Sequence, residues 1–160
     1  MKTKYNRSPH HEYTVDSEHL IGAFAMQAIP LGAQGTFSLV VTAEHLANRF
    51  KDAMLPPVFA TPVMVMLMEN AALNAIKPYL SSNESCVGTR VDVTHLAATP
   101  VGMTATASAV VTAVEGRKIE FQIEAYDGVE VIGKAHHERM VIDRLKFGER
   151  LQAKADKVSL

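Results

Sequence analysis

The sequence predicts an α+β domain in which an antiparallel β-sheet wraps around one long helix. One strand-like segment comes first, and a helix-like segment with an almost wholly apolar first half follows it. Four further strand-like segments then follow without another helix between them. A run of strands packed on a helix in this order is typical of α+β domains. The 160 residues suffice for one such domain.

The composition is that of an ordinary globular domain and excludes several classes of function. Hydrophobic residues make up 48% of the chain and charged residues 21%, so a core can form without disulfide or metal support. The net charge is −1 and no Lys/Arg block is present, so nucleic acid is not an expected partner. The single cysteine, Cys86, favours a reducing, cytoplasmic location. No apolar run approaches the ~20 residues that span a bilayer, so no membrane association is expected.

The first part of the chain contains an arm, one strand and a short helical turn. Met1–Pro30 begins with polar residues and has no sustained hydrophobic periodicity. This predicts an N-terminal arm before a domain of residues 31–143. Thr36–Thr42 is rich in β-branched and aromatic residues and predicts the first strand. Ala43–Asp52 predicts the helical turn.

The long helix is predicted to begin at Thr61-Pro62, because Thr can cap free amides and Pro is favoured at the first helical position. It should run from Pro62 to about Lys77, where Pro78 ends it. Val63–Met68 is apolar on every face of this helix. The pattern indicates a helix enclosed by other elements.

Four strands are predicted after the helix, separated by turn signals. Glu115-Gly116-Arg117 and Asp127-Gly128 suit hairpin connections, and polar and apolar residues alternate along the intervening segments. The predicted strands are Cys86–Ala98, Met103–Val114, Lys118–Asp127 and Val129–Asp143. The charged residues 144–160 form a C-terminal tail, predicted as a frayed helix or coil.

This order of elements is that of the hot-dog fold. A curled sheet of this kind leaves its edge strands exposed, and pairing edges across a two-fold axis protects them. We therefore expect a homodimer.

Glu69 is the most informative single position, because a carboxylate follows six apolar residues on a helix predicted to be enclosed. Keeping it charged there costs several kcal/mol unless it is paired or hydrogen-bonded, which suggests a function. Two ordinary explanations stay open at this point. Glu69 could emerge into solvent at the helix edge, or Asn70 or Asn74 could hold it in place.

His95 and Thr61 are the other candidates. A strand histidine with a pKa near neutral can carry protons to and from a thiolate or water, although it could equally be a half-buried residue with a satisfied ring. Thr61 could serve only as the helix cap. Eight residues separate Thr61 from Glu69, which is about 12 Å along a helix. Either Thr61 lies in a folded-back loop, or water, substrate or a partner chain bridges the gap.

No metal site is predicted. His136 and His137 are adjacent on a strand and therefore face opposite sides of the sheet, so they cannot bind one metal ion together. Cys86 has no His or acidic residue beside it and is interpreted as a core residue.

At these positions the chain resembles the fluoroacetyl-CoA thioesterase family of hot-dog enzymes. The resemblance extends from about Pro57 to Ile142 and carries all three catalytic residue types at the family's spacing. The matching segments are Val58–Thr61, Leu67–Glu69, Val87–Thr89, Val93–His95, Ala97–Pro100, Asp127–Val129 and His137–Arg139.

The resemblance implies an acyl-CoA thioesterase that hydrolyses a short-chain acyl-CoA to the free acid and CoA, with no cofactor. Glu69 would supply nucleophilic or general-base character toward the thioester carbonyl. His95 would carry protons and orient the thioester, and Thr61 would hydrogen-bond the carboxylate or the attacking water. Direct attack by water and an acyl-enzyme both stay open.

Four positions are implied in substrate binding. Gly88 matches a glycine close to the substrate and Arg139 a basic residue near the site, while Phe59 and Leu55 complete the predicted set. Leu55 stands where the fluoroacetyl-specific enzyme carries a Phe that gates its pocket. Another short acyl chain is therefore favoured over fluoroacetyl.

Two other functions are compatible with this fold. One is an enoyl-CoA hydratase or dehydratase, against which stands the lack of an Asp-x-x-x-x-His pairing at a helix start. The other is a non-enzymatic dimer that binds acyl-CoA or another small ligand, in which Glu69 is structural and a bound thioester stays intact.

Overall fold

The computed structural model describes residues 28–158 and shows five antiparallel strands in one sheet, in the order β1-β3-β4-β5-β2. The strands are β1 (Gln34–Val40), β2 (Glu84–His95), β3 (Thr104–Glu115), β4 (Lys118–Tyr126) and β5 (Val131–Asp143). The α-helices are α1 (Ala47–Phe50), α2 (Thr61–Ile76) and α3 (Arg144–Asp156), with 3-10 turns at Ala43–His45 and Lys77–Tyr79. The predicted order of one strand, a long helix and four strands is confirmed. The predicted N-terminal arm lies outside the described residues except for its last three.

Helix α2 packs across the inner face of the sheet. Its buried residues are Val63, Met64, Leu67, Met68, Ala71, Ala72, Ala75 and Ile76. The approach to β1 is so close that a Cβ atom on Gly35 would overlap the backbone of Ala75. The predicted complete enclosure of α2 is wrong for a single chain, because Met66 is 39% exposed. The sheet covers only the side of the helix that faces it.

The start of α2 differs from the prediction in one informative respect. Thr61 is the first helical residue and Ala60 is the N-cap, with no side-chain cap bond. The expectation that Thr61 caps the helix is therefore wrong, and so is the alternative of a folded-back loop. Pro62 lies in the first turn as predicted.

Strand β2 lies at an open edge of the sheet, and its pairing with β5 is interrupted by a bulge. The register shifts between Gly88 and Arg90, so Thr89 is an extra residue on the β2 side. Five consecutive residues, Gly88–Asp92, are exposed. The strand ends at His95 rather than at the predicted Ala98, because the amides of the next two residues both turn to the carbonyl of Ile132.

Alternating burial along β3 and β4 places one face of the sheet on the core, as the polar–apolar alternation predicts. Ala105, Ala107 and Ala109 on β3 are buried and keep that face flat enough for α2 to approach. The C-terminal tail forms the ordered helix α3, which Asp143 caps by accepting a hydrogen bond from the Lys146 amide at 2.9 Å. Among residues 28–158, no helix has the length and apolarity needed to cross a bilayer.

Candidate active site

Thr61 and His95 form the first half of the candidate site. Thr61 opens α2 and His95 is the last residue of β2. The hydroxyl oxygen of Thr61 lies 2.9 Å from Nδ1 of His95. The hydroxyl can donate to this nitrogen or accept from it, so the bond orients the ring in either neutral tautomer. The Thr61 side chain therefore anchors a histidine instead of a helix end.

The second ring nitrogen of His95 is not used by the fold. Nε2 is buried and has no hydrogen-bond partner within the described part of the chain. Burial lowers the pKa of His95 below 6.5, and a smaller effect of the Ala97 backbone opposes this shift. The imidazole is therefore neutral at pH 7, and it borders an open cavity of about 350 Å³. The other lining residues of this cavity are Val58, Leu96, Ala97 and Ala98.

Glu69 lies in the middle of α2 and forms a second centre. Its side chain is 38% exposed, so it is neither enclosed in the core nor free in solvent. One carboxylate oxygen, Oε1, lies 3.8 Å from Nη1 of Arg139 and 3.8 Å from Nε2 of His137. Both partners come from β5, which passes beneath this part of the helix. The carboxylate is thus paired with a cation on the inner face of the sheet.

The ordinary explanation that a neighbouring asparagine holds Glu69 is wrong. Asn70 donates its side-chain amide to the Met66 carbonyl, and Asn74 donates to the Thr36 carbonyl, each at 2.8 Å. Neither amide bonds to the carboxylate.

Gly88 provides the space that the Glu69 carboxylate occupies. A Cβ atom built on Gly88 would lie 2.5 Å from Oε1 of Glu69 and 3.3 Å from the His137 ring. Any side chain here would displace the carboxylate, since real Cβ contacts are essentially never so short. Gly88 is also the β2 residue that pairs with Arg139.

The other two predicted substrate-binding residues precede α2 in the chain. Phe59 is 1% exposed and belongs to the hydrophobic core, with its backbone amide bonded to the Thr99 carbonyl. Leu55 is half-buried on the segment between α1 and α2.

The structure therefore joins the predicted catalytic residues in two separate groups. Thr61 bonds to His95, and Glu69 pairs with Arg139 beside Gly88. Within residues 28–158, neither Thr61 nor His95 forms a hydrogen bond with Glu69. Eight residues of helix separate Thr61 from Glu69, which is about 12 Å along the axis.

The comparison with known proteins decides the family. The sequence profile of the fluoroacetyl-CoA-specific thioesterases matches residues 41–145. The fluoroacetyl-CoA thioesterase of Streptantibioticus cattleyicolor is 43% identical over 129 residues, which cover 78% of this chain and 93% of the relative. The chain belongs to the fluoroacetyl-CoA-specific thioesterase family. The thioesterase class that the sequence predicts is thereby confirmed.

Solved structures agree with membership in the fluoroacetyl-CoA-specific thioesterase family and confirm the hot-dog fold. A mutant of the fluoroacetyl-CoA thioesterase in complex with acetyl-CoA is 39% identical, with a TM-score of 0.75 over 78% of this chain and 98% of that one. A Thermus thermophilus protein described as a thioesterase superfamily member is 30% identical, with a TM-score of 0.79 over 84% of this chain and 98% of that one. A hot-dog-like protein from Thermanaerovibrio acidaminovorans, 21% identical, shares the fold with a TM-score of 0.71 over 79% of this chain and 93% of that one.

One residue of this family member's site was not singled out from the sequence for catalysis. His137 was considered as half of an adjacent histidine pair and as part of the matching segment His137–Arg139, with no role of its own. The available signal was its spacing, because His137 and Arg139 are two residues apart on a strand and must share a face. In the structure both lie on the inner face beside Glu69.

Proposed function

We propose that the protein hydrolyses a short-chain acyl-CoA to the free acid and CoA, with Glu69, His95 and Thr61 as its catalytic residues, in sites that two copies of the chain complete. The names of the relatives support a CoA thioester as substrate, since one is a fluoroacetyl-CoA thioesterase and another was crystallised with acetyl-CoA. The small apolar cavity beside His95 suits a short acyl group.

The observation that carries the proposal is the arrangement of two half-sites along one open strand edge. Gly88, next to the Glu69 carboxylate, and His95, next to Thr61, both lie on β2. Because of the bulge at Thr89, six ladder steps of strand separate them, which is roughly 20 Å. Thr61, which bonds to His95, and Glu69 are also about 12 Å apart along the axis of α2, so one carbonyl carbon is not placed to contact both groups of the same chain.

A second copy resolves this distance. Because Thr89 is an extra residue in the bulge, the ladder midpoint between Gly88 and His95 lies at Asp92, inside the exposed stretch of β2. If two β2 edges pair antiparallel about this midpoint, Gly88 of one chain faces His95 of the other. Pairing would also cover the apolar Val91, which is 37% exposed in the single chain. The homodimer expected from the sequence thus supplies two composite sites.

In such a site the chemistry follows from the two environments. The Glu69 carboxylate, paired with Arg139, acts by one of two routes. It attacks the thioester carbonyl to form a mixed anhydride that water then hydrolyses, or it withdraws a proton from a water that attacks the carbonyl directly. The carbon–sulfur bond breaks, and neutral His95 relays the proton from water to the departing CoA thiolate. Thr61 holds the ring in the orientation for this transfer. Water supplies the hydroxyl of the acid and the proton of the thiol.

Cofactor and location remain predictions. The proposed hydrolysis requires no cofactor, because carboxylate, imidazole and water supply every proton and bond. Cys86 is a free, buried thiol, which fits a reducing cytoplasmic setting.

The test combines activity with subunit mixing. Glu69→Gln and His95→Ala should each reduce release of CoA thiol from short acyl-CoAs by about a hundredfold or more. Co-expression of the two variants with different tags should restore about a quarter of the wild-type activity, because half of randomly formed dimers contain one intact site out of two.

Matched controls are available on the outer face of the sheet. Glu124, paired with Lys134 at 3.2 Å, gives the control Glu124→Gln, and His136 gives His136→Ala. Both should retain near wild-type rates. Co-expressed variants no more active than either variant alone would show that Glu69 and His95 act within one chain. Absence of thiol release across a broad acyl-CoA panel would refute the proposed substrate class.

A further inference from the structure

A buried polar cluster of Cys86, His137 and Arg139 lies beneath the Glu69 carboxylate. His137 is 0% exposed and Arg139 is 8% exposed, both on the inner face of β5. Burying a guanidinium is costly unless its N–H groups find partners. The contacts of Arg139 therefore show which groups hold its guanidinium in place.

All three nitrogens of the Arg139 guanidinium are engaged. Nε donates to Sγ of Cys86 at 3.1 Å, and Nη2 lies 3.5 Å from the Cys86 carbonyl. Nη1 donates to Nε2 of His137 at 3.2 Å and lies 3.4 Å from the Glu69 carbonyl. The same Nη1 is the atom 3.8 Å from the Glu69 carboxylate. Cys86 and His137 thus hold the guanidinium from two sides.

The protonation state of His137 follows from its partners. Nδ1 lies 2.7 Å from the Arg90 carbonyl, which can only accept, so Nδ1 carries the hydrogen. Nε2 then has a lone pair and accepts from Arg139. Burial, with a smaller contribution from the positive charge of Arg139, lowers the pKa of His137 and keeps the ring neutral. Phe121, stacked on the ring at 5.9 Å, fixes its plane.

We propose that His137 is a positioning residue that, with Cys86, holds the Arg139 guanidinium against the Glu69 carboxylate and so fixes the orientation in which that carboxylate meets the thioester. The inference rests on the proposed function, because Glu69 must be the reacting carboxylate. His137 itself does not touch the reacting atoms.

Two substitutions at this position separate positioning from mere support of the fold. An asparagine side chain places its amide near the position of Nδ1, whereas a glutamine side chain reaches the position of Nε2. His137→Asn therefore keeps the bond to Arg90 and loses the acceptor for Arg139. His137→Gln keeps that acceptor and loses the bond to Arg90. Each variant loses one buried hydrogen bond, so their melting temperatures should fall by similar amounts.

The expected result is a difference in kcat. His137→Asn should reduce kcat about tenfold or more with KM changed less than about threefold, and His137→Gln should be at least about fivefold more active than His137→Asn. In an Arg139→Met background, His137→Asn should cause no further loss, because it acts through the guanidinium. His136→Asn, on the outer face beside Glu120, is the matched control.

Each other outcome overturns the inference. Equal losses in the two variants, following their melting temperatures, would make His137 a structural residue, and unchanged kcat in both would remove its role. If neither variant folds, Cys86→Ala loosens the other side of the clamp and should lower kcat; an unchanged value contradicts the proposal. If the wild-type protein hydrolyses no thioester, a crystal structure of His137→Asn still decides, since Arg139 must move away from Glu69.

Discussion

The Thr61 hydroxyl lies 2.9 Å from Nδ1 of His95 and links the first turn of α2 to the last residue of β2. The two residues are 34 positions apart in sequence. The contact fixes an imidazole whose other nitrogen has no partner among residues 28–158. Helix α2 and strand β2 together therefore hold the His95 imidazole in a defined orientation.

Removing the Thr61 hydroxyl should release the His95 ring from its fixed orientation. Thr61→Val keeps the shape and β-branching of the side chain, and we expect kcat to fall about tenfold or more as His95 loses its partner. Thr61→Ser keeps the hydroxyl and should lose less than about fivefold. Steady-state assays of thiol release compare the two. Equal activities of the Val and Ser variants would contradict the assigned role.

Adding one methyl group at Gly88 should impair the Glu69 centre. In Gly88→Ala the new Cβ would lie 2.5 Å from Oε1 of Glu69, so the carboxylate must move. We expect kcat/KM to fall about tenfold or more while the protein stays folded by circular dichroism. Gly148→Ala is the matched control, since a Cβ at Gly148 on α3 meets no atom within 4 Å. Full activity of Gly88→Ala would show that the carboxylate position is not critical.

The pH dependence should reflect the neutral imidazole of His95. Burial lowers the pKa of His95 below 6.5, so the neutral form persists through pH 7 and is lost only as pH falls through the lowered value. In the proposed mechanism neutral His95 relays the proton, so kcat/KM should be flat from pH 7 to 8 and decline below pH 6.5. His136→Gln should leave this profile unchanged. A decline centred above pH 6.5 would contradict the assignment.

Leu55 should set the preference among short acyl groups. The resemblance implies that Leu55 stands where the fluoroacetyl-specific enzyme carries a Phe, and Leu55 is half-buried on the segment before α2. We expect Leu55→Phe to raise the ratio of kcat/KM for fluoroacetyl-CoA over that for propionyl-CoA by about fivefold or more. Leu55→Met, of similar volume to the native residue, is the control. An unchanged ratio would place specificity elsewhere.

The long helix was predictable because its signals are local. Thr61-Pro62 and Pro78 bracket α2 to within a residue or two, and turn residues separate the later strands. The role of Thr61 was not predictable from these signals. Whether a hydroxyl caps its own helix or binds an imidazole depends on where His95 arrives, and that is set by the pairing of β2 with β5.

The surroundings of Glu69 were predictable only in part. The apolar run before it indicated an unusual carboxylate, but one chain leaves it 38% exposed, because α2 is covered on one side only. The resemblance implied that Arg139 lies near the site. The clamp around Arg139 joins residues up to 70 positions apart, and neither hydrophobic periodicity nor turn signals carry such information.

The bulge at Thr89 determines which way both half-sites point. Residues seven apart in a regular strand project from opposite faces, yet Gly88 and His95 both face α2, because one unpaired residue between them resets the parity. Deleting that residue would turn either the glycine or the histidine toward the outer surface. Between Gly88 and His95, only insertions or deletions of an even number of residues keep both on the face of the sheet that packs on α2. The number of residues in this stretch is therefore expected to vary less than their identity among active relatives.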